Sequence, residues 1–233
     1  AFAASKHLDS ITSNKYQMFD STIRWQIYRA DKQPTHELAI AKLEELEEQI
    51  SDNTRSLYNL MLVQRYQMAG DDEKEREMMQ ILISDPKADA MTINIYYYDA
   101  AHNNKYFEEG LTALDNIISR ELIYDDTYAS YEEWLEYELY DRAMFYDTRG
   151  WIHYKVGNYS QARSDFEYSI ALTNGELSIP IGHLALTLDN LEAPKAEVFE
   201  AAVLALKMGV YESELEEDLI SCIQRLYNPK TMW

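Results

Sequence analysis

One stretch in the second half of the chain, residues 143–175, has the pattern of two short helices joined by a tight turn. Residues 146–156 suit a first helix, and Gly157 then opens a turn. Residues 160–172 repeat small and apolar side chains at helical spacing and stop at Gly175, a suitable helix terminator. Two short helices with so short a connection form an antiparallel αα-hairpin. This pattern predicts helices packed in pairs.

The same stretch resembles the tetratricopeptide repeat (TPR), a helix pair with a period of about 34 residues whose motif alternates small and large packing positions. The matching residues are Tyr146 and Gly150 in the first helix, Gly157 and Tyr159 in the turn, and Ala162, Phe166 and Ser169 in the second helix. Two departures are Arg149, where the repeat usually has Leu, and the missing Pro beyond Leu172. The resemblance implies that Gly150 lies where two helices cross closely.

Other copies of the repeat are degenerate. Starting points near 20, 56 and 91 give almost constant steps, close to the period of the family. The predicted repeats lie near 20–53, 56–87, 91–121, 143–175 and 179–208, and a C-terminal capping helix follows at 213–227. We therefore predict an all-α fold, a right-handed αα-hairpin solenoid that forms a single domain over residues 1–233. A helical bundle without repeats, with Leu and Ala stripes in register by chance, is the alternative.

Residues 121–142 interrupt the period, because they span only about half a repeat. Ser130 and Glu133 have the spacing of a capping box, so we expect a helix to begin there. That helix is expected to extend or flank the helix of Tyr146. A continuous element would have up to about 27 residues and a length of roughly 40 Å.

Composition excludes several classes of protein and partner. The chain has only 7 Gly and 5 Pro in 233 residues, which leaves little room for the many turns of a β-sandwich. A formal net charge of −20 would repel a phosphate backbone, so we expect no nucleic-acid partner. The acidity either serves solubility alone or steers basic protein segments. No apolar run is long enough for a membrane-spanning helix.

Motifs for catalysis, metals or cofactors are missing from the sequence. It has no glycine-rich phosphate loop and no Gly-x-Ser-x-Gly elbow, and its five histidines are scattered. Cys222 is the only cysteine and lies in an apolar run, as expected for a small buried side chain. His153 occupies a position where the repeat usually has an aromatic residue, so packing or a polar contact is expected of it. We expect a non-enzyme with no metal and no cofactor.

Tyrosine and tryptophan are the unusual feature, with 19 and 4 copies. Packing between helices is one explanation. The other follows from the resemblance, because the first helices of tetratricopeptide repeats line a concave groove. The residues that this register places in the groove are Met144, Asp147, Trp151 and Tyr154 from the clearest repeat, Ile95, Asp99 and His102 from the one before, and Gln64 from the repeat near 56–87. We expect Trp151 and Tyr154 to anchor a partner, and Trp151→Ala to leave the fold largely intact.

The resemblance implies a scaffold or adaptor that binds a partner peptide or helix in this groove. Some family members capture acidic chaperone tails with Lys and Asn on the first helices. Here those positions offer Asp99, Asp147, Gln64 and Gln67, so a basic or apolar segment fits better. A sensor or regulatory domain of a longer signalling protein is the alternative, and an unrecognised enzyme is the third.

The first residues, from Ala1 to Lys6, bear on localisation. Ala1-Phe2-Ala3 has the Ala-x-Ala form found at the end of a cleaved secretory signal, which favours a periplasmic or envelope-associated protein over a cytoplasmic one. A chain boundary or a trimmed tag explains the same residues.

Overall fold

A computed structural model describes residues 22–84 and 88–227 of the chain. In these residues the secondary structure is helical and contains no strand, as the sequence predicts. The chain divides between Asp89 and Ala90 into two compact units. The residues behind the export prediction, and the end of the predicted repeat near 56–87, lie outside the described part. The single-domain solenoid over 1–233 stays a prediction.

The described residues of the first unit form two helix pairs. Its helices are α1 over 22–31, α2 at His36–Glu44, α3 at Asp52–Ala69 and α4 at Asp72–Ser84, with a short 3₁₀ turn at Glu47–Gln49. Apolar residues from α1, α2 and α3, among them Ile27, Leu43 and Leu62, form one buried cluster. Arg65 on α3 donates to Asp31 at the end of α1 over 2.6 Å and ties the two helices together.

In the second unit, the described residues form three helix pairs followed by a single helix. The helices are α5 at Ala90–His102, α6 at Phe107–Ile118, α7 at Tyr131–Lys155, α8 at Tyr159–Leu172, α9 at Ser178–Asn190, α10 at Lys195–Met208 and α11 at Ser213–Leu226. Apolar residues of α9, α10 and α11 share one core, including Ala185, Ala202 and Leu219. The helix α11 therefore covers the last pair, as a terminal cap of stacked repeats does.

Gly150 lies at the crossing of α7 and α8, as the repeat motif predicts. A Cβ atom on Gly150 would be 2.8 Å from Cε1 and 2.9 Å from Cδ1 of Phe166, closer than van der Waals contact allows. The missing side chain thus lets the Phe166 ring pack directly on the backbone of α7. Gly110 on α6 has the same function in the preceding pair, where Ile152 and Tyr97 occupy the space.

Arg149, which departs from the repeat pattern, has a clear role at the same crossing. Its guanidinium donates two hydrogen bonds to Asp165 on α8, over 2.8 and 2.6 Å, and a third to Asp115 on α6 over 2.7 Å. Asp165 is buried, so this bidentate pair compensates a charge that would otherwise be costly. An ion pair takes the place of the apolar contact that Leu usually makes in the family.

The insertion over 121–142 contributes the first half of α7, a continuous helix of 25 residues. Ser130 Oγ accepts from the backbone N–H of Glu133 over 3.1 Å, and Glu133 Oε2 accepts from Ala129 N–H over 3.0 Å. These contacts confirm that the helix begins at the predicted cap and runs into the repeat. Arg142 fastens it by donating to the carbonyls of Ile118 and Arg120 over 2.8 and 2.6 Å. No helix in the described part of the chain is long and apolar enough to cross a membrane.

Candidate functional site

A cleft of about 360 Å³ opens in the second unit between α5, α7, the start of α9 and the segment that precedes α11. We call it the acidic cleft because Asp147 and Glu212 are the formally charged groups among its described lining residues. Its lining residues are Met91, Asn94, Ile95, Tyr98, Tyr140, Met144, Asp147, Thr148, Ile179, Tyr211 and Glu212. Most of the surface between the polar groups is apolar, so any charge that enters is partly shielded from water.

Helical spacing explains why these residues meet. Met91, Asn94, Ile95 and Tyr98 on α5 follow the spacing i, i+3, i+4, i+7, which places them on one helical face. On α7, the residues at 140, 144, 147 and 148 follow i, i+4, i+7, i+8 and also share a face. Two helices thus present one stripe each to the same cleft.

Asp147 is held by a buried histidine. Its Oδ1 accepts from Nδ1 of His183 on α9 over 2.9 Å, and the two side chains are 2% and 0% exposed. Because an ionised carboxylate can only accept, the proton of the pair lies on Nδ1 of the imidazole. No other hydrogen bond to Asp147 occurs in the described part of the chain, so the capacity of Oδ2 to accept is unused.

Glu212 belongs to the non-helical segment between α10 and α11. Both of its carboxylate oxygens lie within hydrogen-bond distance of the Tyr98 hydroxyl, 2.8 and 2.9 Å away, and the hydroxyl donates to them. Burial and the negative charges of Asp147 and Glu212 raise the pKa of Tyr98 above its ordinary value. The Tyr98 hydroxyl therefore stays protonated and fixes the segment before α11 against α5.

Asn94 contributes an unpaired acceptor. Its side chain is 3% exposed, and its Nδ2 group donates only a long contact of 3.9 Å to Sδ of Met91. Its Oδ1 is buried and has no hydrogen-bond partner among the described residues. A buried carbonyl without a partner is uncommon in folded proteins and needs a reason, because it loses water without gaining a donor.

A column of aromatic rings lies beside the cleft. The indole of Trp151 stacks between Tyr154, with ring centroids 5.0 Å apart, and His183, with centroids 4.4 Å apart. His102 packs on the same indole at 5.3 Å and on Tyr98 at 4.6 Å. The column connects α5, α7 and α9, and it fixes the imidazole that orients Asp147.

The predicted site residues have three different outcomes. Three of them, Ile95, Met144 and Asp147, line the acidic cleft. Three more, His102, Trp151 and Tyr154, form the aromatic column. Asp99 is exposed on α5 and does not line the cleft, and Gln64 is exposed on α3 in the first unit. A partner-binding role for these residues stays a prediction.

Trp151 corrects one expectation. Its side chain is only 7% exposed and is packed on both faces by Tyr154 and His183, so it is a core residue. Trp151→Ala will open a cavity and destabilise the unit by about 3 kcal/mol or more. The expectation that this substitution leaves the fold intact is therefore wrong, and Ile95, which is 55% exposed in the cleft, is the better probe of binding.

Sequence reasoning missed four residues of this site: Asn94, Tyr98, His183 and Glu212. His183 counted as one scattered histidine, because the repeat near 179–208 is too degenerate to show its inward position. Asn94 and Tyr98 could have been found, since they fall three and seven residues after Met91 on the helix that supplies Ile95. Glu212 has no such signal.

No protein-family model matches the sequence, and no curated protein is significantly similar to it. Among solved structures, the crystal structure of PilW, a widely conserved type IV pilus biogenesis factor, matches 93% of this chain and 88% of its own chain, with 16% identity and a TM-score of 0.54. A thermophilic TPR protein from Thermus thermophilus covers 81% of this chain and 90% of its own, with 14% identity and a TM-score of 0.46. The first similarity agrees with the successive helix pairs of this chain. The chain has a TPR-like repeat fold.

In TPR-like terms, the acidic cleft lies on the first helices of three consecutive pairs: α5, α7 and α9. These are the helices that line the groove in the family. The lining contains carboxylates, an amide, hydroxyls and apolar groups but no Lys or Arg, so the described part of the cleft offers no cation of its own. The described residues also contain no group of three or more His, Cys, Asp or Glu that could hold a metal ion.

Proposed function

We propose that this protein is an interaction module, a scaffold or adaptor, that holds a basic segment of a partner protein in the acidic cleft. The observation that carries the proposal is the composition of that cleft, in which two carboxylates and a buried amide carbonyl face apolar walls. A partner segment that carries positive charges among apolar side chains would match both the acceptor groups and the apolar walls.

Charge on the whole chain supports the same partner. The net charge of −20 attracts a basic segment from a distance and raises its rate of association. We expect that rate to fall as salt increases from low to physiological concentration, because the Debye length shrinks to about 8 Å.

Exposed apolar surface inside the cleft supplies the second contribution. Ile95 is exposed although Met91, Met144 and Ile179 surround the same cleft. Covering such a side chain with a partner stabilises a complex in proportion to the apolar area removed from water.

Site-specific photo-crosslinking tests the proposal. A benzophenone amino acid replaces Ile95 in the cleft or, as the matched control, Tyr168, which is half exposed on α8 and does not line the cleft. After irradiation in extracts of the source cells, we expect mass spectrometry to find position 95 joined to a discrete partner segment rich in Lys or Arg. Equal labelling at 95 and 168, or attachment at 95 to acidic segments, would contradict the proposal.

A further inference from the structure

The carboxylates and the Asn94 carbonyl give the acidic cleft unused hydrogen-bond acceptors. The Tyr98 hydroxyl already donates to Glu212, and Nδ1 of His183 donates to Asp147. Asn94 Oδ1 accepts nothing in the described part of the chain. The remaining polar lining groups are hydroxyls, which accept as well as donate. A ligand that matches this set must bring several donors of its own.

The electrostatics of the cleft also require that the ligand carry a positive charge. Asp147 and Glu212 both act on the Tyr98 hydroxyl, and together with burial they raise the pKa of that group. One polar group thus senses both carboxylates, so their fields overlap within the cleft. Since the lining contains no Lys or Arg, the described cleft leaves this negative potential without an internal counter-charge.

The walls select an organic cation over a metal ion. Met91, Ile95, Met144 and Ile179 present apolar surface, which a bare ion would leave uncovered. The methylene stem of a Lys or Arg side chain can pack on such surface while its charged end reaches polar groups. Tyr140 also lines the cleft, and the face of an aromatic ring attracts a cation.

Resting on the proposed function, we infer that the acidic cleft is a slot for one Lys or Arg side chain of the partner. The methylene stem lies against Met91 and Met144. The charged end donates hydrogen bonds to Asn94 Oδ1 and to the carboxylates of Asp147 and Glu212. The partner would supply a donor to the buried carbonyl of Asn94, which has no hydrogen-bond partner among the described residues.

Two methionines of the cleft allow a direct test. The protein is labelled with ¹³C at the methionine methyl groups and titrated with a short apolar peptide that carries one central Lys, one Arg or one acetyl-lysine. Acetyl-lysine keeps the stem and removes the charge. We expect the Lys and Arg peptides to shift the methyl signals of Met91 and Met144, and to bind about tenfold or more tightly than the acetyl-lysine peptide.

Substitutions in the cleft test which residues recognise the positive charge of the peptide. Asp147→Asn keeps an acceptor for His183 and should remove most of the preference for Lys over acetyl-lysine. Asn94→Leu should weaken the Lys peptide as well, which covers the case in which Asp147→Asn does not fold. Glu167→Gln on the exposed face of α8 removes the same unit of charge outside the cleft and should leave the preference unchanged.

The possible results separate this inference from the function it rests on. Equal affinity for the Lys and acetyl-lysine peptides, with shifts at Met91 and Met144, overturns the cation slot while crosslinking at position 95 still supports a bound segment. No shift at these methionines with the Lys or Arg peptide overturns the slot whatever the crosslinking gives. Failure to crosslink a partner at position 95 contradicts the proposed function itself.

Discussion

Two groups of charged residues on α7 differ in how completely they are paired. At the crossing with α8, Arg149 makes three hydrogen bonds to Asp165 and Asp115. In the acidic cleft, Asp147 makes one hydrogen bond, to His183, and the neighbouring Asn94 carbonyl makes none within the described part of the chain. Both groups contain a buried carboxylate, and Arg149 and Asp147 are separated by a single residue of the sequence.

This difference in pairing suggests that one group stabilises the fold and that the other is suited to binding. Removing the partner of a buried, paired charge strongly destabilises a fold, because the remaining charge is left uncompensated. A buried acceptor without a partner costs free energy in the free protein, so it weakens the fold unless a ligand supplies the donor. The Arg149 network therefore stabilises the repeat, whereas the unpaired acceptor in the cleft supports the proposed role of the cleft in recognition.

The largest expected effect is at the paired group. Arg149→Met keeps the stem and removes the guanidinium, which leaves Asp165 buried without its partner. We expect a loss of about 3 kcal/mol in the free energy of unfolding, measured by urea denaturation followed by circular dichroism. The control is Arg163→Met, whose partner Glu167 is exposed, and it should cost less than about 1 kcal/mol. Equal losses for the two variants would contradict the comparison.

Overpacking at the same crossing gives the next effect. Gly150→Leu places a side chain where Phe166 already lies within 2.8 Å of the Cβ position, so α7 and α8 must separate. We expect a cost of about 1–3 kcal/mol or more in the same denaturation experiment. Ala171→Leu on the exposed face of α8 is the matched control, and its effect should stay within about 0.5 kcal/mol. If Gly150→Leu left the free energy of unfolding unchanged, the predicted register of the repeat would be wrong.

The unpaired acceptor should respond in the opposite direction. Asn94→Leu replaces a buried amide with an apolar side chain of similar size and removes the unsatisfied carbonyl. We expect unfolding free energy to stay the same or rise by about 1 kcal/mol. A loss of more than about 2 kcal/mol would mean that Asn94 is a structural residue, and the cleft would then lose its distinguishing feature.

The smallest effect is a dependence on pH. Burial lowers the pKa of His102 below its ordinary value of 6.5, against the opposing charge of Glu212 and with help from His183 and Lys155. Burial also lowers the pKa of His153, which Asp165 opposes and Arg149 favours. Between the lowered pKa and 6.5 the unfolded chain binds more protons than the folded one, so stability falls as pH drops from 7 towards 5.

His153→Phe provides the check on that dependence. The substitution puts an aromatic residue where the repeat usually has one and removes one of the two histidines. Urea midpoints measured at pH 7 and pH 5 should therefore differ less in the variant than in the unchanged protein. An unchanged difference would assign the acid sensitivity to other groups.

The sequence predicts the parts of this comparison that depend on helical spacing. The positions of Gly150, Ala162 and Phe166 are enough to place the α7–α8 crossing, because the motif fixes both sides of it. The same register brings Ile95, Met144 and Asp147 to one cleft. The cap at Ser130 likewise predicts where α7 begins.

Other parts of the site depend on contacts that no periodic pattern contains. Register places Trp151 on a face of α7 but does not give its depth, which comes from the stack with His183 on α9. Glu212 lies in a non-helical segment and reaches Tyr98 across 114 residues of sequence. Whether Arg149 is paired also depends on Asp115, which a neighbouring helix pair supplies.

One measurement tests the separation of stability and binding most directly: the affinity of the Lys peptide for Asp147→Asn and Asp165→Asn, each corrected for the folded fraction. The two variants remove the same charge from two buried sites of one unit. We expect Asp147→Asn to weaken binding about tenfold or more and to change the free energy of unfolding by less than about 1 kcal/mol. Asp165→Asn should destabilise the fold and leave the affinity of its folded fraction unchanged. Unchanged affinity in Asp147→Asn, or an equal loss of affinity in both variants, would contradict the separation of stability from binding.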